Sequence, residues 1–195
     1  MKKVDIRVIK TKKIIKEAFI ELIEIKGYNN VTVSDICKLA DINRNTFYLH
    51  YQDKEDLISK LVNEATKDLN NALGTTTFLK HSTLDNISET EIRWGFRNLL
   101  RYIEPNIEFF RILLLDSSIT GYVNNMFETI KRLISAALKV KNPLSNLIYE
   151  YTFSGMMGLI RQWILYSPAD DVSVSKILAH LAYSNLESFK VINKK

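Results

Sequence analysis

The sequence contains little of what stabilises secreted or turn-rich proteins. Its 195 residues include one cysteine, which leaves no internal disulfide, and only three prolines and six glycines, which argues against a β-rich fold. No apolar run approaches the roughly 18 residues of a membrane span. The basic N-terminus lacks the apolar stretch of a signal peptide. We therefore expect a cytoplasmic protein in which Cys37 is a small core residue rather than a redox sensor.

Signatures of catalysis and of metal binding are also missing. The three histidines, at positions 50, 81 and 180, do not have the spacing of metal ligands. The sequence has neither a glycine-rich phosphate loop nor a nucleophile motif. We expect no enzymatic activity, no bound metal and no cofactor.

Residues 32–56 carry the most informative pattern. Thr32 and Asp35 form the Thr-x-x-Asp signature of a capped helix start, and residues 41–43 then interrupt the helical spacing. Asn43 is a favourable N-cap for a second short helix, which exposes side chains suited to base edges and phosphates. Two helices this short need a third to pack on. The pattern predicts a helix-turn-helix whose recognition helix begins at Arg44.

The chemistry of the recognition helix assigns a partner to each exposed side chain. Arg44 is suited to a bidentate contact with guanine, and Asn45 to the same contact with adenine. Thr46 suits a thymine methyl or a phosphate, and Tyr48, one turn after Arg44, suits a phosphate. We expect four residues to form the core of this motif: Ile36, Leu39, Phe47 and Tyr51.

Positive charge is concentrated just before this motif. The chain carries 27 Lys and Arg against 22 Asp and Glu, for a formal net charge of +5. Seven basic residues precede or open the first predicted helix: Lys2, Lys3, Arg7, Lys10, Lys12, Lys13 and Lys16. Such a cluster is often only a solvated helix end, but before a helix-turn-helix it is expected to lie along phosphates.

The first third of the chain resembles the TetR family of bacterial transcriptional regulators. The resemblance rests on Gly27-Tyr28, on the run Thr46-Phe47-Tyr48 with His50-Tyr51, and on Lys54-Glu55-Asp56-Leu57. It implies that Thr32, Tyr48, His50 and Lys54 hold the DNA backbone. The complete set of expected DNA-binding residues is Thr32, Ser34, Asn43, Arg44, Asn45, Thr46, Tyr48, His50 and Lys54.

Hydrophobic periodicity predicts an all-α protein of about nine helices. A three-helix DNA-binding domain is expected at residues 1–52, and a helical effector-binding and dimerisation domain at residues 53–195. The helix from Asp53 to about Leu73 joins the two, and residues 74–86 form the expected loop after it.

The family resemblance also implies a cavity between the C-terminal helices for an apolar or aromatic small molecule. The expected lining residues are Trp94, Tyr102, Phe110, Tyr122, Met126, Phe127, Phe153 and Met157. The other interpretation is that these side chains simply fill the core, as aromatic and methionine residues at helical spacing usually do.

The family resemblance also implies dimerisation through residues 144–191, as a four-helix bundle formed by two helices of each subunit. The small residues of the first helix, Ser154, Gly155 and Gly158, would permit close approach. A stripe on the second consists of Leu178, Leu181, Leu186 and Phe189. Alternatively, both stripes close the core of their own subunit.

The sequence therefore predicts a dimeric repressor. It would bind double-stranded DNA at a palindromic operator and be released by a small apolar or aromatic effector. In the alternative, the C-terminal domain binds a protein partner instead of a small molecule. These patterns identify neither the effector nor the operator.

Overall fold

A computed structural model describes residues 6–73, 87–137, 143–166 and 170–193. The expected loop at residues 74–86 lies outside these ranges. Every regular element within them is helical, which confirms the predicted all-α class. None of these helices is both long and apolar enough to cross a membrane.

The helices follow the predicted order. Their ranges are α1 Ile6–Lys26, α2 Val33–Leu39, α3 Arg44–Tyr48, α4 Lys54–Ala72, α5 Glu89–Ile103, α6 Ile107–Leu115, α7 Thr120–Ala137, α8 Pro143–Tyr166 and α9 Asp171–Asn193. Short 3-10 turns at Tyr28–Asn30, Glu104–Asn106 and Ser117–Ile119 join some of them.

The chain forms two units. The first consists of residues 1–64 and 111–124, and the second of residues 65–110 and 125–195. The first unit thus contains a segment that sequence motifs alone place in the C-terminal domain. Helices α4, α6 and α7 each begin in one unit and continue into the other.

Local capping determines where the short helices of the first unit begin and end. Helix α1 ends at Gly27, whose φ of +74° is the left-handed conformation that glycine adopts readily. Thr32 and Asp35 form the predicted capping box at the start of α2. The Asn43 side chain accepts a hydrogen bond from the Asn45 N–H at 2.9 Å, which caps α3. The Asp53 carboxylate accepts the Asp56 N–H at the start of α4.

The core of the first unit lies where α1, α2 and α3 meet. Its fully buried side chains include Ile15, Phe19, Ile36, Phe47, Leu57 and Ile58. Cys37 and Tyr51 are buried as expected. Leu39 is 43% exposed, so the prediction that it faces inward was wrong. Leu39 is the last residue of α2, so its side chain stands at the end of the helix, where it is open to solvent.

In the second unit, α9 packs against both α5 and α8. Leu178 and Leu186 are buried in this unit, so for these two residues the alternative of a subunit core applies. Leu181 is exposed, and the side chain of Phe189 lies outside the described part of the chain. At Gly95 of α5, an added Cβ would come within 3.2 Å of the Leu73 carbonyl oxygen, which explains the glycine there.

Candidate nucleic-acid interface

Helix α3 presents two columns of exposed side chains. Arg44 and Tyr48 lie one helical turn apart, and the Arg44 guanidinium is 3.5 Å from the Tyr48 hydroxyl. Asn45 and Leu49 are related in the same way, because the Leu49 N–H donates to the Asn45 carbonyl oxygen. Phe47 points to the opposite side and is completely buried. One side of α3 is therefore anchored while the other is open to a partner.

Leu49 is a residue of this surface that the sequence analysis missed. Its side chain is 80% exposed, which is unusual for leucine, and it lies directly after the recognition helix. The signal was the four-residue spacing from Asn45, which places both side chains on one face. Single exposed apolar residues are common on protein surfaces, so its position beside Asn45 is what makes Leu49 a candidate.

Thr32 is exposed but already has hydrogen-bonding partners within the chain. Its hydroxyl donates to Asp35 Oδ2 at 2.6 Å, and its backbone N–H donates to the same oxygen at 2.9 Å. Lys26 Nζ is 2.7 Å from that oxygen as well. Thr32 has a single hydroxyl proton, so its hydrogen bond with Asp35 would have to break before it could donate to a phosphate. The geometry gives Thr32 a capping role.

The same network lowers the pKa of Asp35. The Lys26 ammonium contributes most, and the Thr32 hydroxyl and N–H add to it, so the pKa lies well below its usual range. The carboxylate thus remains ionised, and its two hydrogen bonds with Thr32 persist at neutral pH.

Lys54 also has a role within the chain. Its ammonium donates to the carbonyl oxygens of Tyr28 at 3.0 Å and Asn29 at 3.2 Å. It also lies 4.6 Å from the centroid of the Tyr28 ring. An ammonium has three donors, so one N–H remains for a phosphate. Lys54 therefore joins the start of α4 to the turn after α1.

The remaining predicted DNA-binding residues differ in exposure. Asn43 and Ser34 are exposed, whereas Thr46 and His50 are half-buried. The backbone carbonyl of His50 accepts a hydrogen bond from Lys60 at 3.0 Å. Asn43, as described above, caps α3. The structure brings these side chains to the region of α2 and α3, and their contacts with DNA remain predictions.

The structure describes all eight predicted ligand-binding residues, and their surroundings differ. Tyr102 and Phe110 make an edge-to-face contact in the second unit, with ring centroids 6.3 Å apart, and Met126 is buried in that unit. Tyr122 belongs to the first unit and is half-buried. Trp94 is 58% exposed and does not belong to the core. Three others, Phe127, Phe153 and Met157, are half-buried.

Metal binding finds no support in this region or elsewhere in the described residues. No group of three or more His, Cys, Asp or Glu side chains is placed there to hold a metal ion.

Comparisons with known proteins identify two matching regions. Residues 14–61 match the bacterial regulatory proteins of the tetR family, and residues 90–178 match a transcriptional regulator C-terminal region. The chain is similar to the dhaKLM operon transcriptional activator DhaS of Lactococcus lactis, with 30% identity over 113 residues. That match covers 55% of this chain and 51% of DhaS, so the chain spans about half the length of this curated relative.

Solved structures share the fold over nearly the whole chain. One is a dihydroxyacetone kinase operon activator DhaS, with 23% identity, a TM-score of 0.59 and coverage of 94% of this chain and 98% of that one. Another is a transcriptional regulator from Aquifex aeolicus, with 25% identity, a TM-score of 0.57 and coverage of 93% and 99%. The proteins matched here are transcriptional regulators and not enzymes.

Proposed function

Because this chain belongs to the TetR family of DNA-binding transcriptional regulators, we propose that it acts as a homodimeric repressor of a near-palindromic operator. Each protomer places α3 in a major groove. The observation that supports this proposal is the two-sided character of α3. Arg44, Asn45, Tyr48 and Leu49 are exposed while Phe47 is buried beneath them.

Sequence readout is assigned to three side chains of this surface. Arg44 contacts guanine and Asn45 contacts adenine, each through two hydrogen bonds in the major groove. Leu49 lies against a thymine methyl group, which is the apolar feature of that groove. These contacts supply specificity because the base edges differ there between all four base pairs.

Phosphate contacts come from the surrounding residues. The Tyr48 hydroxyl donates a hydrogen bond to a phosphate. His50 and the third N–H of Lys54 also donate to phosphates. The exposed lysines at the start of α1, Lys10 and Lys13 among them, add charge that attracts any duplex regardless of sequence. Thr32 contributes by holding the start of α2 in position.

Dimerisation is assigned to the outer face of α8. Leu144, Leu147, Tyr151, Leu159 and Tyr166 are all exposed and recur at helical spacing along this helix. Between them, Gly155 and Gly158 leave open space where a side chain would otherwise stand. A second copy of α8 can approach closely there and cover the apolar stripe. Ile177 and Leu181 extend the apolar surface on α9.

The effector is proposed to be a small apolar or aromatic molecule. The Tyr102, Phe109 and Phe110 rings form a cluster in the second unit, which is the kind of surroundings such a molecule prefers. The Tyr102 hydroxyl donates to Asp68 at 3.2 Å, which provides a polar pair beside these rings. An effector releases the operator only if it binds more tightly to the conformation that fits DNA poorly.

A protein partner is the second candidate for the C-terminal domain. The observation in its favour is Trp94, a large aromatic side chain that is more than half exposed on α5. Tryptophan is enriched at protein interfaces and is often among the residues that dominate binding. Substituting Trp94 would weaken the binding of a protein partner and leave the binding of a small effector unaffected.

Repression is the proposed sign of regulation, since a dimer that occupies a promoter blocks polymerase. The Lactococcus lactis relative is named an activator, so a reporter assay is needed to distinguish repression from activation. Transcription from an operator-bearing promoter should fall when the protein is added. A rise would reverse the sign and leave DNA binding intact.

The central experiment is selection of bound duplexes from a random pool by the full chain. We expect an inverted repeat whose half-sites are separated by about 10 base pairs or a multiple of this. We also expect two protomers for each duplex. Enrichment of a single unpaired site, or no enrichment, would contradict the proposal.

A further inference from the structure

Asp116 joins two segments of the first unit that are far apart in sequence. It lies between α6 and the 3-10 turn Ser117–Ile119. Its Oδ2 accepts the Tyr28 N–H at 2.8 Å, and its Oδ1 accepts the Ser118 N–H at 2.9 Å. Hydrogen bonds to an ionised carboxylate are stronger than those between neutral groups. One side chain thus fixes both the junction of α6 with α7 and the turn after α1.

The ionised form of Asp116 is favoured in this position. Burial acts to raise the pKa of this carboxyl, but the N–H groups of Tyr28 and Ser118 outweigh it, so the pKa lies below its usual range.

Tyr28 connects this carboxylate to the DNA-binding motif. Its carbonyl oxygen accepts from Lys54 Nζ at 3.0 Å, and its hydroxyl donates to Glu55 at 3.3 Å. Tyr28 therefore ties Asp116 to the start of α4. The turn that it opens leads through Val31 into Thr32, the residue that caps α2. A displacement of Tyr28 would therefore move the start of α2, the helix against which α3 packs.

Asp116 directly follows α6 in the chain, and α7 begins four residues after it. Residues 107–110 of α6 and 125–137 of α7 belong to the second unit, and residues 111–124 between them belong to the first. Any change that shifts α6 or α7 along its axis would move the carboxylate between them. Helix α4 is a separate connection, because it begins at Lys54 in the first unit and continues into the second unit after Glu64.

We infer that Asp116 is a positioning residue that couples the C-terminal helices to operator binding through its hydrogen bond with the Tyr28 N–H. When α6 and α7 hold the carboxylate against Tyr28, the turn after α1 sets α2 and α3 in the orientation that fits DNA. When they withdraw it, Tyr28 loses this partner and the motif is less well ordered. The inference rests on the proposed operator binding.

Thermodynamic linkage permits a test without knowledge of the effector. If the conformation of the α6–α7 junction changes operator affinity, operator binding must shift the conformational equilibrium of the junction by the same free energy. Hydrogen exchange of the full chain, with and without the duplex obtained by selection, measures this effect. In the wild type, the duplex should slow exchange both in α3 and in residues 117–123.

Asp116→Ala should abolish the response of residues 117–123 while α3 still responds to the duplex. We expect operator affinity to fall about 5-fold to 100-fold, the usual size of coupling between sites. Asp116→Asn retains one carbonyl oxygen, so it can accept from only one of the two N–H groups and should show a smaller loss. If Asp116→Ala fails to fold, Asp116→Asn alone decides the question.

Asp170→Ala is the matched control. The Asp170 carboxylate makes a similar cap at the start of α9, where it accepts the Ser173 N–H at 2.9 Å and the Ser173 hydroxyl at 2.8 Å. This variant should keep the wild-type response at residues 117–123.

The outcomes separate the two proposals. If the duplex slows exchange in α3 of the wild type but leaves residues 117–123 unchanged, the coupling role of Asp116 is refuted and DNA binding stands. The same holds if Asp116→Ala responds like the wild type. If no duplex slows exchange in α3, the proposed function fails and the coupling role fails with it.

Discussion

The Arg44 guanidinium lies 3.5 Å from the Tyr48 hydroxyl, across one turn of α3. Arg44 has donors suited to the edge of guanine, and Tyr48 has a hydroxyl suited to a phosphate. The two groups therefore form one surface that combines base recognition with phosphate contact. Substituting each residue in turn measures the two roles separately.

Arg44→Ala should weaken binding to the selected operator by about 1–3 kcal/mol and relax the preference at one base position. The reason is the loss of a bidentate contact to guanine. Binding to a set of operators with single-base changes measures both effects. An equal loss on every sequence would show that Arg44 only touches phosphate. Arg132→Ala, an exposed arginine of α7, is the control and should bind normally.

Tyr48→Phe should weaken binding to the same extent on all sequences, because a hydrogen bond to phosphate carries no base information. Competition assays with operator and unrelated duplexes measure the ratio of affinities, which should not change. Unchanged absolute affinity would remove Tyr48 from the interface. Tyr183→Phe alters a half-buried tyrosine of α9 and serves for comparison.

Leu49→Ala should reduce operator affinity without a change in thermal stability, because an 80% exposed side chain contributes little to the core. Replacing each thymine of the operator with deoxyuracil removes the methyl groups one at a time. One such replacement should weaken the wild type and have no effect on Leu49→Ala. If the variant and the wild type respond alike at every thymine, Leu49 makes no such contact.

Leu147→Glu should convert the dimer into a monomer, because it places a charge in the apolar stripe of α8. Sedimentation of the full chain measures the molar mass. Ile25→Glu introduces the same charge at an equally exposed apolar residue of α1 and should leave the dimer intact. A Leu147→Glu variant that remains dimeric would place the interface elsewhere.

Asp35 should contribute to the loss of stability in acid. Its pKa is lowered in the folded protein, mainly by Lys26, whereas an unfolded Asp titrates near about 3.9. The stabilisation is thus fully present above about pH 4 and is lost as the pH falls. Asp35→Asn should be less stable near neutral pH and less sensitive to acid, as measured by urea unfolding at several pH values. Glu21→Gln removes one negative charge from an exposed position of α1 and serves as the comparison for the loss of charge alone.

Local features of the fold followed from the sequence because their causes lie within a few residues. The capping box of Thr32 and Asp35, the N-cap of Asn43 and the helix end at Gly27 each involve neighbours in the chain. Such hydrogen bonds depend on residue type and spacing, and both are visible in the sequence.

Long-range features did not follow in the same way. Periodicity predicted the stripe on α9, but it does not state whether a neighbouring helix or a second subunit covers Leu178 and Leu186. The role of Lys54 within the chain and the contact of Asp116 with Tyr28 depend on residues brought together only by folding. Trp94 showed the same limit, since its size favoured an interior position that the packing of α5 does not give it.

The burial of Cys37 provides an intrinsic reporter for the motion of the DNA-binding unit. This residue is the sole thiol of the chain, and burial raises its pKa, so the reactive thiolate is scarce in the folded state. A maleimide or disulfide reagent modifies it only when α2 opens. The labelling rate therefore reports how often this region opens, and it does so in the native chain without an attached dye or an engineered residue.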